Sequence, residues 1–334
     1  MNIVKIAHYP KFLKQVTSAK DRAVHTLVGK DVPLKVRIIA WVSIVLVISF
    51  VFLFVNRITR AAEVVWDGEG TDGTCGGSAG DGNKWSCGLN WSTNSVPTSS
   101  DTAKFDGTST KSVTLDSATS VAGVNIASGY TGTITQSAAI TVGSSGFVQN
   151  AGRFSGSTQA IDVNGDLTLG AGVTFTATSG SLYVERSVAI DSSVVFDANS
   201  GTLALDGGYA GNTSVGASGI TFSVVTINRN RGLAAGSYAL TINSGTTIPL
   251  GDNPSVTVIN TYDGYDLVNN GTITAGTGTL TVNMVNGTLT NNGTITATNI
   301  TTWAGSANLT NSGTITATSS STIAARSITN SASS

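Results

Sequence analysis

Acidic side chains in a short glycine-rich segment could supply oxygen ligands to a calcium ion. Asp67, Glu69, Asp72 and Asp81 are each followed by a glycine. Carboxylate oxygens are the ligands that calcium prefers, but the segment lacks the regular spacing and the closing glutamate of an EF-hand loop. We therefore treat the four residues as a candidate calcium site, with a flexible acidic turn as the alternative, and we predict no other cofactor.

Carboxylates would also have to carry any acid–base catalysis, because the two histidines, His8 and His25, lie in the N-terminal segment. Three pairs of charged residues lie close together later in the sequence: Asp162 with Asp166, Asp263 with Asp266, and Arg229 with Arg231. The aspartates could act on a glycosidic bond, and the arginines could bind an acidic sugar. Sequences rich in Asp, Asn and Gly also favour turns, so we predict no catalytic residue and no enzyme. A carbohydrate-active lyase or hydrolase is the alternative.

A nine-residue phrase that recurs near the C-terminus predicts the fold that must position these groups. It runs over 267–275, 289–297 and 309–317, and a fourth copy begins at 328, so that the starts are 22, 20 and 19 residues apart. A period near 20 residues, with short Thr, Val and Ile runs between Asn and Gly corners, is typical of a solenoid.

Each repeat contains three short runs in which apolar residues alternate with threonine, as in a strand with one buried face. Three runs per turn predict a coil of roughly triangular cross-section whose successive turns stack as parallel strands. Four asparagines then fall at one corner: Asn269, Asn291, Asn311 and Asn330. Their amides could hydrogen-bond along the axis as a ladder, or they could serve only as turn formers.

The same alternation continues upstream to about residue 111, so we predict a right-handed parallel β-helix over 111–334. At about 20 residues per turn this region would form roughly 11 turns and a rod of roughly 50 Å. An array of β-sandwiches is the structural alternative, although the runs are short for sandwich strands.

The N-terminal part of the chain has a different charge and hydropathy. Residues 1–60 contain ten Lys and Arg against two Asp and Glu, whereas 61–334 contain eight against 17. An uncharged run of 18 residues, 38–55, is long enough to span a bilayer as a helix. The basic segment 1–37 then predicts a cytoplasmic N-terminus, with 61–334 outside the cytoplasm. The helix could be a retained anchor or a cleaved signal peptide.

A linker over 56–63 leads to a predicted cap over 64–110, which would cover the open edge of the first turn. Three tryptophans could plug that end: Trp66, Trp85 and Trp91. The chain's two cysteines, Cys75 and Cys87, lie in the same segment. Because this segment is predicted to be external, we expect a disulfide between them, worth roughly 3 kcal/mol.

The cap also contains a pattern of aromatic and turn residues: Trp66-Asp-Gly, Trp85, Asn90-Trp-Ser92, Val96-Pro97, Asp101 and Phe105. This pattern resembles the start of β-helical passenger regions in bacterial surface proteins, including autotransporter-like adhesins. Later phrases, such as 201–207 and 222–228, are similar to repeats in such proteins. The resemblance covers residues 64–330 and implies a β-helical, surface-exposed protein. The chain lacks the C-terminal anchoring signals of such proteins, so we expect a fragment.

Together these features predict a bacterial cell-surface or secreted protein whose β-helical rod has a structural and adhesive role. We expect the membrane to be contacted through 38–55, and glycans or cell-surface and matrix molecules to be the ligands. Nucleic acid is not an expected partner, because the acidic region 61–334 has no basic stripe to displace counterions from phosphates.

Overall fold

The computed structural model describes Ser43 and residues 61–69, 83–207, 211–229, 238–250, 257–261, 265–276, 279–284, 286–303, 308–319 and 321–331. The chain divides into two units, 1–60 and 61–334, and the architecture is that of the second unit. Among the described residues, no helix is long and apolar enough to cross a bilayer. Apart from Ser43, the predicted basic segment 1–37 and apolar helix 38–55 lie outside the described residues, so both stay predictions.

The second unit is an all-β parallel solenoid, which confirms that part of the predicted fold class, while the right-handed winding stays a prediction. Its strands, numbered in chain order, are β1 Ala62–Val65, β2 Asp101–Phe105, β3 Val113–Leu115, β4 Thr119–Ile126, β5 Thr133–Gln136, β6 Ile140–Gln149, β7 Arg153–Ser155, β8 Ile161–Val163, β9 Leu167–Leu169, β10 Thr174–Thr176, β11 Ser181–Val184, β12 Val188–Ile190, β13 Val195–Asp197, β14 Thr202–Asp206, β15 Thr213–Gly216, β16 Val224–Arg229, β17 Tyr238–Ile242, β18 Thr247–Pro249, β19 Thr257–Thr261, β20 Tyr265–Asn269, β21 Thr272–Thr274, β22 Thr279–Met284, β23 Thr288–Asn291, β24 Thr294–Ala297, β25 Asn299–Trp303, β26 Asn308–Asn311, β27 Thr314–Ala317, β28 Thr322–Ala324 and β29 Ser327–Asn330. The register pairings between these named strands are parallel, as a chain that winds in one sense requires.

The strands form three faces, which the chain visits in the same order on every turn. The first face contains β1, β2, the second halves of β4 and β6, β9, β12, β15, β17, β20, β23, β26 and β29. The second face contains β3, β5, β7, β10 and β13, and then β18, β21, β24 and β27. The third face contains the first halves of β4 and β6, β8, β11, β14, β16, β19, β22, β25 and β28.

Nine turns of the described part have a strand on all three faces, fewer than the roughly 11 turns predicted from a 20-residue period. The reason is that the turns differ in length. Equivalent residues Leu167 and Val188 are 21 positions apart, but Val188, Val215, Ile242 and Asn269 follow one another at 27. The additional residues of these longer turns therefore take up chain length without adding a turn.

Alternation along each strand fills the interior, because every second side chain points inward. On the second face Ile248, Ile273, Ile295 and Ile315 lie one above another, and the outward-facing residues beside them are threonines except Pro249. The first three are buried and Ile315 is half-buried. Each buried side chain of this size contributes roughly 1.5–3 kcal/mol, so the column is a continuous source of stability along the axis.

Phenylalanines take the place of isoleucine in the middle of the second face. The Phe154 and Phe175 rings stack with centroids 5.1 Å apart, and Phe175 and Phe196 stack at 5.8 Å. Phe222 meets Phe196 edge-on at 5.5 Å, in a turn that has no strand on this face. Aromatic contacts therefore keep the interior filled across the one turn where the second face is interrupted within the described residues.

The solenoid begins earlier than the repeats alone indicate. Strand β1 pairs with β2, and β2 pairs with β4, so residues of the predicted linker and cap belong to the first face. The three tryptophans are fully buried at this end, where Trp91 contacts Trp66 at 5.2 Å and Trp85 at 4.8 Å in edge-to-face geometry. Phe105 of β2 packs against all three rings and connects them to the interior of the solenoid.

Candidate functional site

The four corner asparagines form a continuous column on the first face, between β20 and β29. Asn269 Nδ2 donates to Asn291 Oδ1 at 2.8 Å, and Asn291 Nδ2 donates to Asn311 Oδ1 at 2.8 Å. Asn311 Nδ2 donates to Asn330 Oδ1 at 3.0 Å. Asn269 and Asn291 are completely buried, and both also donate to the backbone of the second face, at Thr294 O and Thr314 O. The column therefore joins the first face of one turn to both the first and the second face of the next turn.

Glycine follows the first three of these corners, at 271, 293 and 313, because the turns stack too closely there for a side chain. A Cβ atom on Gly293 would lie 2.0 Å from the carbonyl oxygen of Gly271, and one on Gly313 would lie 2.1 Å from that of Gly293. The Gly293 N–H also donates to Asn269 O at 3.0 Å. The Asn-Asn-Gly and Asn-Ser-Gly phrases thus combine a side chain that bonds along the axis with a residue that permits the close approach.

The cap is held by hydrogen bonds as well as by ring contacts. Trp66 Nε1 and the Tyr130 hydroxyl both donate to Lys111 O, at 3.1 and 2.9 Å. Burial raises the pKa of the Tyr130 phenol, so this hydroxyl stays a donor at any physiological pH. Trp91 Nε1 donates to Trp85 O at 2.9 Å. These bonds satisfy polar groups that would otherwise be buried without partners.

The predicted disulfide and calcium site fall partly outside the described residues. Cys87 is buried beside the tryptophan cluster, whereas Cys75 is not described, and their pairing stays a prediction. Asp72 and Asp81 are not described either. Asp67 accepts a hydrogen bond from the Glu69 N–H at 3.3 Å, as in a local turn, and within the described part of the chain no group of three metal-ligating side chains is found.

The residues considered for catalysis are distributed over different parts of the solenoid. Asp162 lies on β8 and points outward on the third face, while Asp166 lies at the following corner and accepts a hydrogen bond from Ser187 N at 2.9 Å. Asp266 on β20 accepts one from Thr288 N at 2.7 Å, one turn further along. Asp166 and Asp266 therefore bind the backbone of the next turn.

The partners proposed for those aspartates and arginines are only partly described. Asp263 and Arg231 lie outside the described residues. Arg229 ends β16, and its side chain is not described. The second aspartate pair and the arginine pair therefore stay predictions.

Asp162 instead lines a groove that runs along the third face parallel to the axis. This groove has a volume of about 240 Å³ and crosses β6, β8, β11 and β14. Its lining residues are Ala139, Ile140, Thr141, Ala160, Asp162, Tyr183 and Asp206. An aromatic side chain and two carboxylates thus converge on one concave strip of the surface.

The register of the paired strands on the third face explains why the residues that line the groove lie close together. Thr141 pairs with Asp162, Asp162 with Tyr183, and Tyr183 with Ala204, so four outward positions lie side by side. Asp206 lies two residues beyond Ala204 on the same strand and therefore points to the same side. The sequence analysis missed Tyr183 and Asp206. The constant separation of 21 residues between paired positions is the signal that could have found Tyr183.

The resolved pKa shifts lie elsewhere and have structural causes. Hydrogen bonds from the Ser193 hydroxyl and N–H lower the pKa of Asp191. Hydrogen bonding to Thr108 and the charge of Lys104 lower the pKa of Asp106. The Glu63 carboxylate, at 2.8 Å from Lys104 Nζ, raises the pKa of that amine. Asp191 is exposed, Lys104 and Asp106 are half-buried, and none of the three is among the lining residues of the groove.

Comparisons with known proteins found no match for the chain. No protein-family model matches the chain, and no curated protein or solved structure is similar enough to count as a match. The resemblance to bacterial surface proteins therefore rests on the pattern of residues in the cap and repeats. What the fold defines is a class of architecture, the parallel β-solenoid.

Proposed function

We propose that the chain is a structural and adhesive rod displayed on a bacterial cell surface, and that it is not an enzyme. The observation that supports this proposal is the stacking of the interior from turn to turn. Columns of phenylalanine, isoleucine and asparagine each connect four successive turns. Such a rod gains length by adding turns and presents repeated polar strips on its faces, which suits the display of a binding surface at a distance from an anchor.

The proposed location rests on the N-terminal sequence. A basic segment before the 18 uncharged residues 38–55 favours a cytoplasmic N-terminus, with the solenoid on the other side of the membrane. In that oxidising environment Cys75 and Cys87 would form a disulfide next to the tryptophan cap. A right-handed winding, as in the surface proteins that the chain resembles, belongs to the same proposal.

A carbohydrate-active enzyme is the second candidate, and the groove on the third face is the observation that favours it. Its two carboxylates belong to Asp162 and Asp206, which lie two strands and two residues apart. Strand spacing and rise place their Cα atoms roughly 12 Å apart, and because both side chains project outward from the same face, we expect a similar separation between their carboxyl groups. Glycosidases use carboxyl groups roughly 5–9.5 Å apart, so this pair is better suited to binding than to acid–base catalysis.

The experiment is to express the full chain in a bacterium with an epitope tag after residue 331 and to treat intact cells with protease. We expect loss of the tag without lysis, and adhesion of these cells to glycan- or matrix-coated surfaces above that of cells with the empty vector. A tag that is protected until lysis would refute surface display. Release of reducing ends or unsaturated sugars from a polysaccharide would support the enzyme instead.

A further inference from the structure

We propose that the second face binds the surface of ice through a regular array of threonines on β18, β21, β24 and β27. Eight side chains point outward from these four strands. Seven of them are threonine and the eighth is proline: Thr247, Thr272, Thr274, Thr294, Thr296, Thr314, Thr316 and Pro249. The inference assigns a ligand to this threonine array, and it does not depend on display of the chain at a cell surface.

The strands of the threonine array are stacked in register, so its side chains form two columns along the axis. One column runs over positions 247, 272, 294 and 314, and the other over 249, 274, 296 and 316. Neighbouring strands lie about 4.8 Å apart, and alternate residues of one strand lie about 6.7 Å apart. The array is therefore a lattice with two fixed repeats, about 14 Å long and about 7 Å wide.

The interior of the solenoid holds this lattice in place. The isoleucine column lies directly beneath it, and the buried amides of Asn269 and Asn291 donate to the backbone of the array at Thr294 O and Thr314 O. Threonine is β-branched and has few side-chain rotamers. Side chains that are already ordered lose little conformational entropy on binding. The threonine array is therefore suited to a partner that is itself rigid and periodic.

The threonine hydroxyls are available to such a partner. Within the described part of the chain, none of the seven makes a hydrogen bond, and their side chains are half-buried or exposed. Hydroxyls in a common rotamer lie about 4.8 Å from their neighbours in the column, which is too far for a direct bond. One water about 2.8 Å from each can bridge them, with an angle at the water of roughly 118°. The column thus offers water a nearly tetrahedral series of sites.

The repeats of the threonine array are close to those of hexagonal ice. Each oxygen in ice has four neighbours at tetrahedral angles, so O–H···O distances of about 2.75 Å put next-nearest oxygens about 4.5 Å apart and give a repeat of about 7.3 Å along the hexagonal axis. The array differs by about 0.3 Å per turn and by about 0.6 Å between its columns. An ice surface centred on the four turns is therefore only about 0.5 Å out of register at either end.

The chemistry of the eight positions distinguishes ice from two other periodic solids. None of the eight carries a charge, which a mineral lattice of ions requires for binding. None carries an aromatic ring, whose flat apolar surface would suit the sugar rings of a crystalline polysaccharide. Methyl and hydroxyl groups alone are presented, and these match a solid made of water.

Uniform threonine is specific to this part of the solenoid. A column of outward residues on the first face, in the same turns, has mixed chemistry: Asp266, Thr288, Asn308 and Ser327. Earlier on the second face, β7 and β13 present Arg153 and Asp197 at outward positions. The array therefore does not follow from the general abundance of threonine in the strands.

The test measures recovery of the purified full-length chain in slowly grown ice, with an inert protein mixed in as an internal standard and the same detergent in every sample. We expect the chain to be enriched in the ice over the standard and to inhibit ice recrystallisation. Thr296→Tyr places a bulky ring at the centre of the array, where it holds ice away from the neighbouring threonines. It should raise the concentration needed for inhibition at least about tenfold.

Two matched controls make the same change in the same turn. Thr290→Tyr lies on the first face and Thr301→Tyr on the third, and both replace half-buried threonines that point outward. Both should behave as the unmodified chain does. Thr274→Tyr, at the position paired with Thr296, repeats the test if Thr296→Tyr does not fold. Tyrosine is favourable in strands, and circular dichroism near the freezing point checks each variant.

The inference is overturned if the unmodified chain is not enriched in ice over the standard. It is also overturned if a folded array variant is recovered in ice as well as Thr290→Tyr and Thr301→Tyr. Pelleting with crystalline cellulose and with crystalline chitin is measured for the same variants. Pelleting that depends on Thr296, without enrichment in ice, would assign the threonine array to a polysaccharide and refute ice as its ligand.

Discussion

The asparagine column makes a sharp prediction about Asn291→Ala. This substitution removes the acceptor of Asn269 Nδ2 and the donor to Asn311 Oδ1, both in 2.8 Å bonds, and it also removes the donor to Thr314 O. Asn269 Nδ2 keeps its bond to Thr294 O, so this NH₂ group loses one of its two acceptors. Each lost bond in a buried position costs about 1 kcal/mol net, and each buried group left unsatisfied costs about 1–3 kcal/mol. We therefore expect a local destabilisation of about 3 kcal/mol.

Hydrogen exchange followed by mass spectrometry is the appropriate assay, because a solenoid can open from one region without unfolding as a whole. A change of about 3 kcal/mol corresponds to roughly a hundredfold faster exchange in β23 and β26. Exchange in β9 and β12, more than 100 residues away in sequence, should be unchanged. The comparison between the two regions is made within one sample, so it does not depend on the absolute stability of the chain.

Asn299→Ala is the matched control. Asn299 lies on β25, is half-buried, points outward on the third face, and pairs in register with Thr279. Its removal should change exchange by less than threefold. Asn292→Ala is an intermediate case, because Asn292 donates to Asn270 Oδ1 at 2.9 Å in an exposed position of the same corner. Equal effects at Asn291 and Asn299 would refute the reasoning that burial gives the column its energetic value.

Three further substitutions concern the stacked phenylalanines of the second face, the exposed Asp191 and the corner glycine Gly293. Phe175→Ala leaves a cavity between two stacked rings and should cost about 3–5 kcal/mol in denaturant unfolding. The pKa of Asp191 is lowered by Ser193, so its carboxylate stabilises the fold above the unfolded-state pKa, and this stabilisation is lost as the pH falls through the folded-state pKa. Asp191→Asn should therefore lower the melting temperature at pH 7, and the difference from the unmodified chain should shrink as the pH falls below the unfolded-state pKa. Gly293→Ala forces a Cβ against Gly271 O and should cost at least about 2 kcal/mol, measured by exchange in β24 and β27.

The expectation for Phe175→Ala has a control on the neighbouring strand, β13. Val195 precedes Phe196, whose ring stacks on Phe175. Because the Val195 side chain is 63% exposed, Val195→Ala should change the free energy of unfolding by less than about 0.5 kcal/mol. A Phe175→Ala variant as stable as Val195→Ala would contradict the stacking argument.

The repeated phrase was sufficient to predict the solenoid, because its side-chain alternation and its corner residues specify the same local structure. Thr294-Ile-Thr fits a short strand with one buried face, and Asn-Gly fits a close corner, so the period of about 20 residues needs no long-range information. The Trp66, Trp85 and Trp91 plug was also predictable, because large aromatics have no other place to be buried near the first turn.

The number of turns and the groove could not be predicted from short-range sequence patterns. Loops between Val188 and Asn269 lengthen three turns to 27 residues, and such insertions hide the period without changing the stacking. The groove depends on strand register: Asp162 and Tyr183 touch the same strip because they are one turn apart. Reasoning from short spacings favoured Asp162 with Asp166, although the chain turns a corner between them.

The asparagine column also gives the rod a direction. All three amide-to-amide bonds run the same way, from the NH₂ group of one turn to the oxygen of the next. Their dipoles therefore add along the axis, and each bond polarises its neighbours. Reversing a single amide would bring NH₂ against NH₂ on one side and oxygen against oxygen on the other. The four side chains consequently have one collective orientation, and a turn can be inserted into or removed from this stretch only as a whole unit that keeps the polarity.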